Sequence, residues 1–158
     1  MHIAPYSPSH RAAIVALSLR AWAPVFASLE NEMDPGVWAA FYPNGWEEVQ
    51  RASVEAACDA NDLSVSVALD DGRVLGFVAV RIHDALMGEI TMIATDPSAQ
   101  RRGVARTLSQ HALEFMRSQG NTIAMVETGG DPGHAPARAT YEANGFRNLP
   151  LARYFRKI

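Results

Sequence analysis

The clearest chemistry in the chain lies in Asp96-Pro97-Ser98-Ala99-Gln100-Arg101-Arg102-Gly103-Val104-Ala105. This run follows an apolar stretch that reads as a strand and opens an amphipathic stretch that reads as a helix. The first amides of a helix have no internal partners and converge on an anion. Gly103 lets the backbone approach a phosphate with no side chain between. Ala105 keeps the next approach shallow, and Arg101 and Arg102 add charged donors. An ordinary helix start with a solvated Arg pair has the same composition, so the run alone supports only an anion site. It is neither the GxxxxGK[ST] phosphate loop nor the dinucleotide GxGxxG fingerprint.

Other residue types invite chemistry. Glu89 stands among Ile90, Met92 and Ile93, and a carboxylate inside a strand is usually paired or functional. Glu127, Asp131 and His134 form a second polar group around a strand end and the loop after it. Acids there attract a cation, and an imidazole titrates near neutrality. The plainer reading is a loop held by an Asp side chain. His83 reads as a strand-end residue. Cys58 is the only cysteine, which excludes an internal disulfide, and it reads as a small apolar helix residue.

The elements that must position these groups follow from pattern. His2–Tyr6 reads as an edge strand limited by prolines. Ala12–Trp22 reads as a helix that Pro24 interrupts or restarts. Val25–Gly45 suggests short helical pieces around a pocket, with Phe26, Trp38 and Tyr42 among its large side chains. Glu47–Ala60 is the next helix. Leu63–Leu69 and Arg73–His83 are valine-rich and flank Asp71-Gly72, a strong hairpin signal. Gly88–Thr95 is a further strand. Arg102–Gln119 is a long helix, and Thr122–Glu127 a strand that the crossover makes parallel to its neighbour. Ala135–Asn144 is a short helix. Phe146–Leu151 and Arg153–Ile158 read as two final short strands. The sum is an α/β fold with a mixed, mostly antiparallel sheet and helices on both faces.

A length of 158 residues fits a single domain over 1–158. The formal charge of −3 argues against a nucleic-acid partner held by broad electrostatics. Arg supplies 13 of the 14 bases, a bias given no functional weight. No signal-peptide pattern and no run of about eighteen apolar residues is evident, which points away from a membrane and toward the cytoplasm.

Gln100-Arg101-Arg102-Gly103-Val104-Ala105 resembles the Q/R-x-x-G-x-G/A signature of the GCN5-related N-acetyltransferase (GNAT) superfamily. Ala139-Thr140-Tyr141-Glu142-Ala143-Asn144-Gly145-Phe146 resembles the A-x-x-x-Y-x-x-x-G-F region that closes those domains. The order of elements is similar across essentially the whole chain. Ala105 stands where Gly is commoner, and a frequent Asn near the start of the last helix is absent.

The resemblance implies the acyl-CoA N-acyltransferase fold, acetyl-CoA as cosubstrate without a metal, and an amine acceptor attacked directly in a ternary complex. It implies that the amides of Gln100 to Ala105 hold the CoA pyrophosphate and that the backbone of Ile93, Ala94 and Thr95 pairs with the pantetheine arm. The thioester then lies in a gap between that strand and the one around Met125 to Glu127. Tyr141 is the expected general acid toward the leaving sulfur, with core packing beside Phe146 as the lesser alternative. Glu89 is the expected general base. Glu127, Asp131, His134, Trp22 and Phe26 are candidates for the base or for acceptor binding, with Trp38 and Tyr42 beside them. Arg138 either reaches a CoA phosphate or pairs with Glu142, and Ser109 is a weak cofactor candidate. The expected acceptor is a small-molecule amine. A protein or peptide acceptor and a non-catalytic acyl-CoA-binding domain are the alternatives. A homodimer through the last apolar stretch is a further expectation.

Overall fold

Valine-rich stretches become β-structure here because each finds a ladder partner. The computed structural model describes all 158 residues. The elements run β1 (His2–Pro5), α1 (Arg11–Glu32), α2 (Pro35–Phe41), α3 (Trp46–Asp59), β2 (Leu63–Asp70), β3 (Arg73–Ile82), β4 (Met87–Thr95), α4 (Val104–Ser118), β5 (Ile123–Val126) and α5 (Ala135–Ala143). The strands form one sheet in the order β1-β2-β3-β4-β5. All pairs are antiparallel except β4 and β5, which the α4 crossover makes parallel. The mixed, mostly antiparallel sheet is therefore as the pattern predicts. The β2–β3 turn sets both central residues at positive φ, Asp71 at 48° and Gly72 at 75°, as the right-handed strand twist favours.

Alternation along the strands divides the core in two. On one face α4 buries Val104, Leu108, Ala112 and Met116 against Ala68, Leu75, Val78, Val80 and Ile90. On the other, Ile14, Val15 and Leu17 of α1 and Val54 of α3 bury against Val67, Val74, Phe77 and Ala94. Gly76 lets α4 seat closely. A β-carbon there would lie 2.5 Å from the Ala94 carbonyl oxygen and 3.1 Å from Leu108 Cδ1.

Three expectations need correction. The first helix does not break at Pro24 but continues to Glu32. Pro24 lies on the exposed side, where water can solvate the carbonyl that loses its amide partner. With the turn before it, this helix is also long and apolar enough to cross a membrane by length and composition. Ile14, Val15, Leu17 and Phe26 of this helix are buried against the fold.

The two terminal strands do not form. Residues 147–158 carry no regular structure. Pro150 splits the segment, and none of its amides finds a backbone acceptor. The tail touches the fold through side chains. Arg153 Nη2 donates to Glu127 Oε1 at 2.5 Å, and Phe155 meets Phe41 of α2 edge-to-face at 5.2 Å.

Candidate functional site

The parallel pairing of β4 with β5 stops at Ile90 and Val126. β4 continues to Thr95 while β5 has ended, so Thr91–Thr95 has no sheet neighbour on that side. Thr91 is also an extra residue in the ladder to β3, because Ala79 pairs with Met92 and Val80 with Ile90. Such a bulge bends a strand and re-aims its side chains and amides. Together they make a gap bordered on one wall by the backbone of Ile93, Ala94 and Thr95. No periodicity in the sequence marks the bulge.

The gap leads to the Gln100–Ala105 loop. Asp96 organises its start. The carboxylate caps the turn by accepting from Ser98 N at 2.9 Å and Ser98 Oγ at 2.5 Å, and Arg20 of α1 donates to it at 2.5 Å. Burial pushes this carboxyl up, but the bonds from Ser98 and Arg20 outweigh burial and hold it at about 2. Arg101 adopts φ 61° and Gly103 φ 82°. These left-handed residues turn the chain so that the amides of Arg101 through Arg106 meet no backbone carbonyl. The first amide that does is Thr107, donating to Gly103 at 3.0 Å. Gln100 Nε2 reaches back to the Thr95 carbonyl at 3.5 Å. Val104 points its side chain into the core and leaves only its amide to the loop. Arg102 lies 3.5 Å from Asp70, an exposed contact that an incoming anion can replace. Ser109 is fully buried, which removes it from the loop surface.

Helix α5 follows the loop after β5. The turn that starts it rests on α1, and the helix itself reaches α4. Tyr141 is 9% exposed and packs edge-to-face on Phe146 with centroids 6.0 Å apart. Burial alone pushes its phenol up to about 12. Its hydroxyl is nevertheless not sealed off from solvent. The packing role and an accessible phenol coexist in one residue.

The opposite side of the gap is polar. Gly88 and Ile90 face α4, so Glu89 between them faces the α1 side. His83 Nε2 lies 2.7 Å from Glu89 Oε2. His83, expected to be an incidental strand-end residue, is thus the direct partner of Glu89. The antiparallel register from Ile82–Gly88 to Arg81–Glu89 could have suggested this proximity. Beyond β5, Asp131 and His134 are hydrogen-bonded through Oδ1 and Nδ1. Burial pushes the Asp131 carboxyl up, while the bond and the charge of His134 help leave it below the usual range.

Arg138 is committed to this loop. Its Nη1 donates to the carbonyls of Gly129 at 2.6 Å and Asp131 at 2.8 Å, rather than to Glu142. Glu127 is exposed and paired with Arg153. Trp22 packs on Phe77 in the α1-side core. Phe26 is buried and stacks on Trp46 at 4.4 Å, with Tyr42 and Trp38 edge-on beside it. These aromatics fix the α1–α2 wall by packing on one another.

The acetyltransferase (GNAT) family pattern matches residues 31–146. The chain belongs to this family. Among sequence relatives, the mycothiol acetyltransferase of Rhodococcus jostii is 32% identical over 120 residues, 70% of this chain and 39% of its own length. That of Beutenbergia cavernae is 40% identical over 76 residues, 48% of this chain and 25% of its own. The chain therefore spans well under half the length of these relatives. Among solved structures, an aminoglycoside 6′-N-acetyltransferase from Acinetobacter haemolyticus superposes with a TM-score of 0.70 at 16% identity, over 100% of this chain and 99% of that one. The ribosomal-protein-S18-alanine N-acetyltransferase of Escherichia coli gives 0.69 at 18% identity, over 94% and 79%. At these identities the likeness is one of fold. The GNAT fold is thus common to enzymes named for antibiotic and for protein acceptors.

Proposed function

We propose that this GNAT-family chain transfers an acetyl group from acetyl-CoA to a primary amine of a small molecule by direct attack. One observation carries the reading. A run of unpaired amides at Arg101–Arg106 follows the free strand edge of Thr91–Thr95, and the Glu89–His83 pair lies where β4 leaves β5. The loop amides and Gly103 suit a pyrophosphate. The free edge of Ile93, Ala94 and Thr95 suits the amide groups of pantetheine, which pair as a strand would. Relatives named mycothiol acetyltransferases support a small acceptor.

In this scheme Glu89, held by His83, takes a proton from the arriving ammonium. The neutral amine attacks the thioester carbon. Holding both reactants in one gap supplies much of the rate. As the C–S bond breaks, Tyr141 gives its proton to the sulfur, and its high pKa keeps that proton in place at neutral pH. Glu127 attracts the acceptor cation. Arg138 serves by shaping the loop. No cysteine stands at the gap, so direct transfer needs no acyl-enzyme. Cys58 lies in α3, packed against the α1-side core.

The test is an acetyl-CoA-dependent thiol-release screen over small amines, aminoglycosides and peptides with free N-termini. Release with small amines is the expected result. Release only with peptides would move the acceptor to protein, and no release with any amine would sink the enzymatic reading. Calorimetry with acetyl-CoA then distinguishes an acyl-CoA-binding domain from a chain that binds none.

A further inference from the structure

The loop between β5 and α5 is built around one imidazole. Asp131 has a side chain only 7% exposed, and its carboxylate holds His134 Nδ1. Four further features fix that pair. Ser28 of α1 accepts from Gly133 N at 3.0 Å. Arg138 ties the carbonyls of Gly129 and Asp131. A β-carbon at Gly129 would run into Asp131 Oδ1 and lie 2.5 Å from His134 Nδ1. One at Gly133 would lie 2.7 Å from Ser28 Cβ and 2.9 Å from Val25 Cα. Two glycines, a serine and an arginine thus serve one histidine–aspartate pair in an otherwise irregular loop. Loop residues held this firmly are those whose orientation matters.

The carboxylate on Nδ1 puts the proton of the neutral ring there and leaves a lone pair on Nε2. Nε2 makes no bond to protein and is not sealed from solvent. His134 is the last residue of the turn that starts α5, and Tyr141 lies in the helix itself. That helix starts against α1 and reaches α4. The imidazole therefore stands on the acceptor side of the gap and the phenol on the α4 side.

We propose that His134 is a second proton acceptor in the reaction, with Asp131 as its positioning residue. The inference rests on the acetyl-transfer reading above and follows from proton balance. An ammonium and a thioester give an amide, a thiol and one free proton, so nitrogen loses two protons and sulfur gains one. Glu89 removes the first before attack and returns it to solvent. Attack forms the C–N bond and leaves a cationic nitrogen in the adduct. His134 Nε2 takes that second proton as the carbonyl re-forms and the C–S bond breaks. Tyr141 gives its proton to sulfur and recovers one from solvent, to which the imidazolium returns its own.

The experiment uses the full chain with the best amine from the thiol-release screen. His134→Gln should lower kcat by about 100-fold, the scale of one lost proton-transfer group, with KM for acetyl-CoA unchanged. Added imidazole should restore turnover to His134→Ala. Asp131→Asn should lower kcat about tenfold by this account, and Asp131→Glu should recover part of it. Nitrogen-15 spectra of histidine-labelled protein should show the Nδ1–H form of His134 in the parent and a mixture in Asp131→Asn. A His134→Gln chain with parent kcat, or an unchanged tautomer in Asp131→Asn, would overturn the proposal. Absence of thiol release by the parent would instead overturn the acetyl-transfer reading, and this proposal with it.

Discussion

Arg20 of α1 and Asp96 at the end of β4 are joined at 2.5 Å, 76 residues apart in sequence. The pair binds α1 to the turn that leads from β4 into the Gln100–Ala105 loop. Asp96 is nearly buried and also holds Ser98, so it is committed on both oxygens. Replacing it by Asn leaves a buried amide facing donors and should cost about 1–3 kcal/mol of stability. The sign of the pH effect follows from the lowered carboxyl. Its contribution is present above the ordinary carboxylate range and is lost as pH falls toward about 2. Thermal melts of parent and Asp96→Asn should therefore converge between pH 4 and about 2.

Gly103 tests the anion loop. Nothing lies within 4 Å of a β-carbon placed there, but φ is +82°. Gly103→Ala should then cost only the left-handed strain, about 1 kcal/mol. Gly103→Glu adds a charge against the expected pyrophosphate and should weaken acetyl-CoA at least about tenfold by calorimetry. Equal affinity in parent and Gly103→Glu would remove the loop from cofactor binding.

Tyr141→Phe separates packing from proton donation. The ring still meets Phe146, so the melting temperature should change little. Turnover should fall by about 100-fold if the phenol protonates the thiolate. The phenol is pushed up to about 12, so the parent should show no loss of activity from its ionisation below pH 10. Unchanged turnover in the variant would leave Tyr141 a core residue only.

Arg153→Ala probes the tail. The ion pair with Glu127 is exposed on both sides, so its loss should change stability by no more than about 0.5 kcal/mol. If Glu127 attracts the acceptor, freeing it should lower KM for a cationic amine and leave KM for acetyl-CoA alone. Steady-state kinetics with each substrate varied in turn would show the difference. A higher amine KM would mean that Arg153 itself assists the acceptor.

Much of the sheet was legible because its causes are local. Asp71-Gly72 prescribes a mirror-image turn, and the valine runs on either side prescribe its strands. The Gln100–Ala105 signature lay where the chain leaves β4 and enters α4, and it was readable to within two residues. The tail misled because alternating apolar residues describe only a capacity to pair. With Pro150 inside it and no ladder partner, the segment 147–158 forms no strand. Pro24 misled in the opposite sense. A proline's local cost was outweighed by the burial of Ile14, Leu17 and Phe26 along one continuous helix.

The sequence by itself determined the order of the five strands and of the helices around them, the two-sided burial and the glycine turn at Gln100–Ala105, because these depend on neighbours a few residues apart. It also supplied Glu89, Tyr141, Asp131 and His134 as types. Only the tertiary structure decided how they divide across the gap. The stop in β4–β5 pairing at Ile90, the bulge at Thr91 and the Ser28–Gly133 bond are each set by sheet register and helix docking. Those contacts depend on how separate elements are buried together, and no spacing along the chain encodes that.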